Sequence, residues 1–160
     1  MIKIYTDGSA HPNPGPGGYG IVVVDENEQL IDCISFQTSK TTNNAMELSA
    51  VLEAFLKYGT IPSEEDFFSE LPVIYCDSHY VVETYKTWMF NWARNGWIKK
   101  DKKVPENLEI IKQFFDHWQK GYRIDLQQIR GHKGIKGNEF ADRLATGKLA
   151  TQDVYQLYKI

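Results

Sequence analysis

Four carboxylates occupy places where a solvated charge is not expected. Asp7 ends the alternating run from Ile2, and Asp77 ends the short apolar run Val73 to Cys76. Both belong at strand carboxyl ends, the edge where open α/β sheets place their sites, provided the two strands are parallel neighbours. Glu47 shares a helical stripe with Ala50, Val51 and Ala54, and Asp142 shares one with Ala145 and Leu149. Each therefore puts an acid on an otherwise apolar, sheet-facing surface. Each acid also has an ordinary explanation. Asp77 with Ser78 can cap a helix, Glu47 can form a capping box with Asn44, and Asp142 can sit favourably near a helix amino terminus. These separate explanations do not account for the set, because four acids on core-facing edges repel one another unless cations hold them. Oxygen-only ligation suits magnesium or manganese, and two such ions about 3.5–4 Å apart can activate a water and stabilise a leaving oxygen on one phosphate. The chemistry predicted is phosphodiester hydrolysis. His132 lies on the glycine-flanked run Arg130-Gly131-His132-Lys133-Gly134, ten residues before Asp142. A titrating imidazole there can shuttle protons, although a lone surface histidine is ordinarily inert.

A second constellation is basic and aromatic. Lys86, Arg94, Lys99, Lys100, Lys102 and Lys103 face a single acid, Asp101, so this stretch is strongly cationic within a chain of net charge −3. Trp88, Trp92 and Trp97 interleave with these cations, a mixture that suits gripping phosphates while packing against sugars or bases. The ordinary reading is a solvated face with core tryptophans. A third motif, Gly15-Pro16-Gly17-Gly18-Tyr19-Gly20, fits the dinucleotide pattern GxGxxG but not its context. Prolines 12, 14 and 16 precede or interrupt it, and the β-branched run Ile21 to Val24 that follows reads as a strand, not a helix. The segment is expected to be a wide turn, and no GxxxxGK[ST] motif supports nucleotide triphosphatase chemistry.

The elements that must position these residues follow from periodicity. Ile2–Asp7, Tyr19–Val24 and Leu30–Phe36 read as three strands of an antiparallel meander. Leu48, Val51, Leu52 and Phe55 predict a helix over Asn44–Tyr58, stopped by Gly59 and Pro62. Val73–Cys76 is a strand buried on both faces, with a helical segment from about Ser78. Leu108, Ile111, Phe115 and Trp118 mark a further helix, Arg123–Ile129 a last strand, and Phe140, Ala141, Leu144, Ala145 and Leu149 a closing helix. The compact solution is an α/β fold, a mixed sheet of five strands with helices on both faces. The connection 58–72 carries Glu64, Glu65, Asp66 and Glu70 and can hold a short helix capped by Ser63.

Composition bounds the answer. At 160 residues, with 42% hydrophobic and 24% charged residues, the chain suits one domain with one sizeable core and is too apolar for disorder. No window approaches the roughly 18–20 apolar residues that span a bilayer, and the amino terminus lacks a signal peptide's apolar core. A cytoplasmic, soluble protein is expected. Cys33 and Cys76 lie in apolar stretches and read as reduced core thiols.

Several motifs taken together are familiar: Tyr5-Thr6-Asp7-Gly8-Ser9, Asn13-Pro14-Gly15-Pro16-Gly17-Gly18-Tyr19-Gly20, Thr41-Thr42-Asn43-Asn44-Ala45-Met46-Glu47-Leu48, Asp77-Ser78, and Gly131-His132 through Asn138-Glu139-Phe140-Ala141-Asp142. In these residues and their order the chain closely resembles type 1 ribonuclease H, over about residues 1–150, with 151–160 left as a carboxyl-terminal tail. The resemblance implies a ribonuclease H-like fold and a magnesium-dependent endonuclease that cuts the RNA strand of RNA·DNA hybrids, leaving 5′-phosphate and 3′-hydroxyl ends. It implies two Mg2+ ions, with Mn2+ able to substitute. Asp7 would bridge both, Asp142 would help hold the water-side ion, and Glu47 and Asp77 the ion near the leaving oxygen. Glu139 would shape the water-side metal shell, and His132 would assist product release or proton transfer. Asn13, Asn43 and Asn44 look like hybrid contacts near the minor groove and Thr42 like a phosphate contact. Trp88 to Lys103 resembles the basic protrusion that grips the DNA strand, less basic here at Ala93-Arg94-Asn95. A monomer with no membrane or evident protein partner is expected.

Overall fold

The computed structural model describes residues 1–63, 71–130 and 134–159. The expected helix at Ser63–Asp66 extends beyond the described residues, and His132 lies outside them. Three antiparallel strands open the chain: β1 (Lys3–Ala10), β2 (Gly15–Val24) and β3 (Leu30–Thr41). After α1 (Asn43–Tyr58), β4 (Val73–Cys76) lies parallel to β1, and β5 (Asp125–Gln128) lies parallel to β4. The order across the sheet is β3-β2-β1-β4-β5, the mixed five-stranded arrangement predicted.

Alternation along the strands sends side chains to two cores. Ile4, Ile21, Val23 and Ile74 point to a face covered by α1 and α4 (Leu108–Gln119), where they meet Leu48, Val51, Phe55, Ile111 and Phe114. Tyr5, Val22, Val24 and Cys33 point to the other face, covered by α5 (Lys136–Ala145) and α6 (Thr151–Leu157) through Phe140, Leu144 and Val154, with Tyr158 just beyond α6. Helices therefore cover both faces. Both cysteines are buried free thiols. Among the described residues no helix is long and apolar enough to cross a membrane.

Several boundaries differ from expectation. Gly15–Gly18 is not a wide turn but the start of β2. Pro16 falls at a register irregularity between Gly15 and Gly17, and a bulge is where a strand tolerates a residue with no N–H. β1 runs on to Ala10, so Asp7 lies inside the strand rather than at its end. The closing helix stops at Ala145, because Gly147 at φ +74° turns the chain out of helical geometry and leaves Leu149 outside it. Asp142 is thus in the carboxyl-terminal half of α5, where the helix dipole opposes an acid, and the amino-terminal explanation for it fails. The stretch read as a tail forms α6, with Val154 and Tyr158 buried against the sheet. The segment after β4 is composite, with α2 (His79–Glu83), a π-helical turn over Thr84–Trp88, and α3 (Met89–Arg94).

Candidate active site

Register brings the first two acids together. β1 and β4 pair with a constant offset, from Lys3 opposite Val73 to Tyr5 opposite Tyr75, and the same offset carried onward sets Asp7 level with Asp77. Ser78 is the cap of α2, its Oγ accepting from the Val81 N–H at 3.2 Å. Helix capping therefore does not explain Asp77. Nor does a capping box explain Glu47, because Thr42 is the cap of α1, with Oγ1 accepting from the Ala45 N–H at 3.1 Å.

The acids arrive from both faces of the sheet. Asp7 alternates with Gly8, so Asp7 shares the α5 face with Tyr5 while Gly8 faces α1. A Cβ at Gly8 would stand 2.4 Å from the Met46 carbonyl carbon and 2.5 Å from the Glu47 nitrogen. The missing side chain lets the first turn of α1 rest on the strand. Glu47 Oε1 then accepts from the Gly8 N–H at 3.3 Å, and Oε2 is buried without a hydrogen-bond partner. Carboxylate oxygens of Asp7, Glu47 and Asp77 lie within 4.8 Å of one another. Asp142, on α5, is not part of that group but lies close enough to Asp7 to raise its pKa.

Crowding leaves its mark on protonation. Burial, then the nearby Asp142 and the charge of Asp77, push Asp7 up to about 8. Burial and the charges of Asp7 and Asp77 hold Glu47 well above the usual carboxylate range. Buried acids that oppose one another's ionisation, with an oxygen left unpartnered, fit a hard divalent cation, which replaces the repulsion with attraction.

The expected substrate residues fall in two regions. Asn13, Thr42, Asn43 and Asn44 gather at the amino end of α1. Asn43 Oδ1 accepts from the Ala10 N–H at 2.7 Å and Asn13 Oδ1 from the Asn43 N–H at 3.1 Å. Their carbonyl oxygens thus hold the loop, and what they offer a ligand is their amide NH2 groups. Asn44 is exposed. In the basic segment the Trp88 and Trp92 rings lie 5.9 Å apart and line an 810 Å³ groove with Arg94, Lys99 and Lys100. Both tryptophans are half-buried at the groove wall, and Trp92 also packs against the core, so the core reading holds for it in part. Trp97 is separate from them: it packs edge-on against Phe115 at 5.4 Å, in a different groove with Phe90 and Trp118. Lys102 borders a shallow pocket with Lys99 and Lys100, and Lys103 is exposed. Glu139 is exposed in the first turn of α5, one turn before Asp142. Sequence reasoning missed Tyr80, whose ring stands 6.1 Å from Trp88 in the same groove. Its signal was the spacing of aromatics at 80, 88 and 92.

A meander joined to a parallel pair, with acids gathered where they meet, defines a known class of α/β fold. The PFV RNase H domain superimposes with a TM-score of 0.72 at 26% identity, covering 90% of this chain and 91% of that one. LC9-RNase H1, described as a type 1 RNase H with the type 2 active-site motif, gives 0.69 at 27% identity, covering 90% and 69%. Ribonuclease H of Cupriavidus metallidurans is 39% identical over 154 residues, spanning 94% of this chain and 96% of its own. The RNase H family model matches residues 1–150. The chain belongs to the RNase H family.

Proposed function

We propose that the protein is a magnesium-dependent endoribonuclease that hydrolyses the RNA strand of RNA·DNA hybrids by a two-metal mechanism, giving 5′-phosphate and 3′-hydroxyl ends. The observation that carries this reading is the convergence of Asp7, Glu47 and Asp77 in a buried, oxygen-only cluster with Asp142 beside it, in a chain of this family. Bound divalent ions would supply an activated water and charge stabilisation at the leaving 3′ oxygen. Asp7 would be shared between both ions, Asp142 would serve the water side, and Glu47 and Asp77 the leaving-oxygen side, with Glu139 shaping the water-side shell. His132 would assist product release or proton transfer. Asn13, Thr42, Asn43 and Asn44 would meet the hybrid at the amino end of α1, where 2′-hydroxyls distinguish RNA from DNA. Trp88, Trp92 and the cations from Arg94 to Lys103 would grip the DNA strand, and Trp97 would support them from behind. Mn2+ would substitute for Mg2+, and the enzyme would act as a cytoplasmic monomer.

The test is incubation with Mg2+ and a hybrid labelled on each strand, beside RNA duplex, DNA duplex and single strands, with Asp77→Asn as control. The expected result is cleavage of the hybrid's RNA alone, lost with chelator and in Asp77→Asn while circular dichroism shows that variant folded. Full activity in Asp77→Asn, or tight hybrid binding with no cleavage under Mg2+ or Mn2+, overturns the reading.

A further inference from the structure

Gly20 is the cross-strand partner of Asp7 in the ladder between β1 and β2. Residues directly opposite in an antiparallel pair point to the same face, so a side chain at position 20 would stand beside the Asp7 carboxylate, beneath α5. The helix already fills that space. A Cβ there would lie 2.3 Å from the Ala141 carbonyl oxygen, 2.6 Å from Leu144 Cβ and 3.0 Å from the Ala145 nitrogen. Two of these three are backbone atoms, which no rotamer change can move aside, so any side chain at position 20 lifts the helix. The atoms in contact bracket Asp142, the residue of α5 that lies close to Asp7.

We infer that Gly20 is a positioning residue: its missing side chain sets the height of α5 over β2 and hence how far the Asp142 carboxylate reaches toward a cation held with Asp7. This rests on the proposed metal role of Asp142. Aspartate has one methylene between backbone and carboxylate, and a site whose groups must be held within about 0.5 Å does not absorb a helix displaced by a methyl group. Glutamate, one methylene longer, can make up a lift that aspartate cannot.

The experiment titrates Mg2+ into the full chain while carboxyl carbon NMR follows Asp7, Glu47, Asp77 and Asp142, at a temperature where each variant is folded by circular dichroism. In the parent all four signals are expected to move. Gly20→Ala should weaken the Mg2+ response at Asp142 by about 10- to 100-fold, the range seen when supports of metal ligands are removed. Val154→Ala, which loosens the same core beneath α6, should leave that response unchanged. Combining Gly20→Ala with Asp142→Glu should recover part of the loss. Parent-like Mg2+ affinity in Gly20→Ala, or a double variant no better than Gly20→Ala, overturns the inference. Should Gly20→Ala not fold, Asp142→Glu alone decides, because at a fixed helix height the longer side chain overreaches and weakens binding; parent-like affinity there overturns the inference. An Asp142 signal that ignores Mg2+ in the parent, while the other three move, removes the metal role of Asp142 and this inference with it.

Discussion

Asp7 shows most clearly what burial among other acids does to one residue. Its pKa rises from 3.8 to about 8, with burial the largest cause, and Glu47 moves in the same direction. Between about pH 4 and about pH 8 the folded, metal-free chain keeps a proton that the unfolded chain has released. That contribution to stability is complete below the ordinary carboxylate range and is lost as pH rises through about 8. Asp7→Asn should therefore raise the Tm of chelator-treated protein by several degrees more at pH 8 than at pH 4.5. Thermal unfolding at the two pH values checks this, and an equal shift at both would refute it. Mg2+ should reverse the trend, stabilising the parent more at pH 8 than at pH 4.5, because a protonated carboxyl is a poor ligand. Asp7, Glu47 and Asp77, which the structure gathers, stood out in the chain because an acid closing an apolar run or sitting on an apolar helical stripe breaks a local pattern, although Asp7 turned out to lie inside its strand. The competing explanations could be dismissed only once Ser78 and Thr42 were seen to do the capping.

At the scale of elements, periodicity located α1, β4 and the helix through Ile111 well, because each is written in local spacing of apolar residues. It failed where a local rule was overridden. Glycine and proline at 15–18 signalled a turn, yet Gly17 and Gly18 pair with both β1 and β3 and Gly15 pairs with Thr41, which holds the stretch in β2. The stretch 151–160 offered little periodicity, yet α6 caps the second core with Val154 and Tyr158. Ending the chain after Ala150 uncovers that core and should cost about 2–4 kcal/mol, read as a lower urea midpoint. Cleavage by the protein that remains folded should persist, because α6 packs on β3, at the edge of the sheet away from Asp77. Loss of cleavage without loss of stability would contradict that assignment.

Across the whole molecule, charge is divided between an acidic pocket and a cationic segment, so the modest net charge hides both. Replacing Lys99, Lys100, Lys102 and Lys103 with alanine should weaken hybrid binding and reduce the slope of log affinity against log salt by about one for each phosphate that no longer meets a cation. Mg2+ binding should be spared, and an unchanged slope would remove the segment from the interface. The residue types, their order, the alternation that gives the sheet two buried faces and the helical stripes that cover them are all written in the chain. All of these rest on interactions between near neighbours in the chain. That Asp7 stands level with Asp77, that Glu47 and Asp142 arrive from opposite faces, that Trp97 parts from Trp88 and Trp92, and that α5 rests closely on Gly20 emerges from the folded chain alone. Those depend on strand register and helix height, which are set by packing between residues tens of positions apart, and no local period records them.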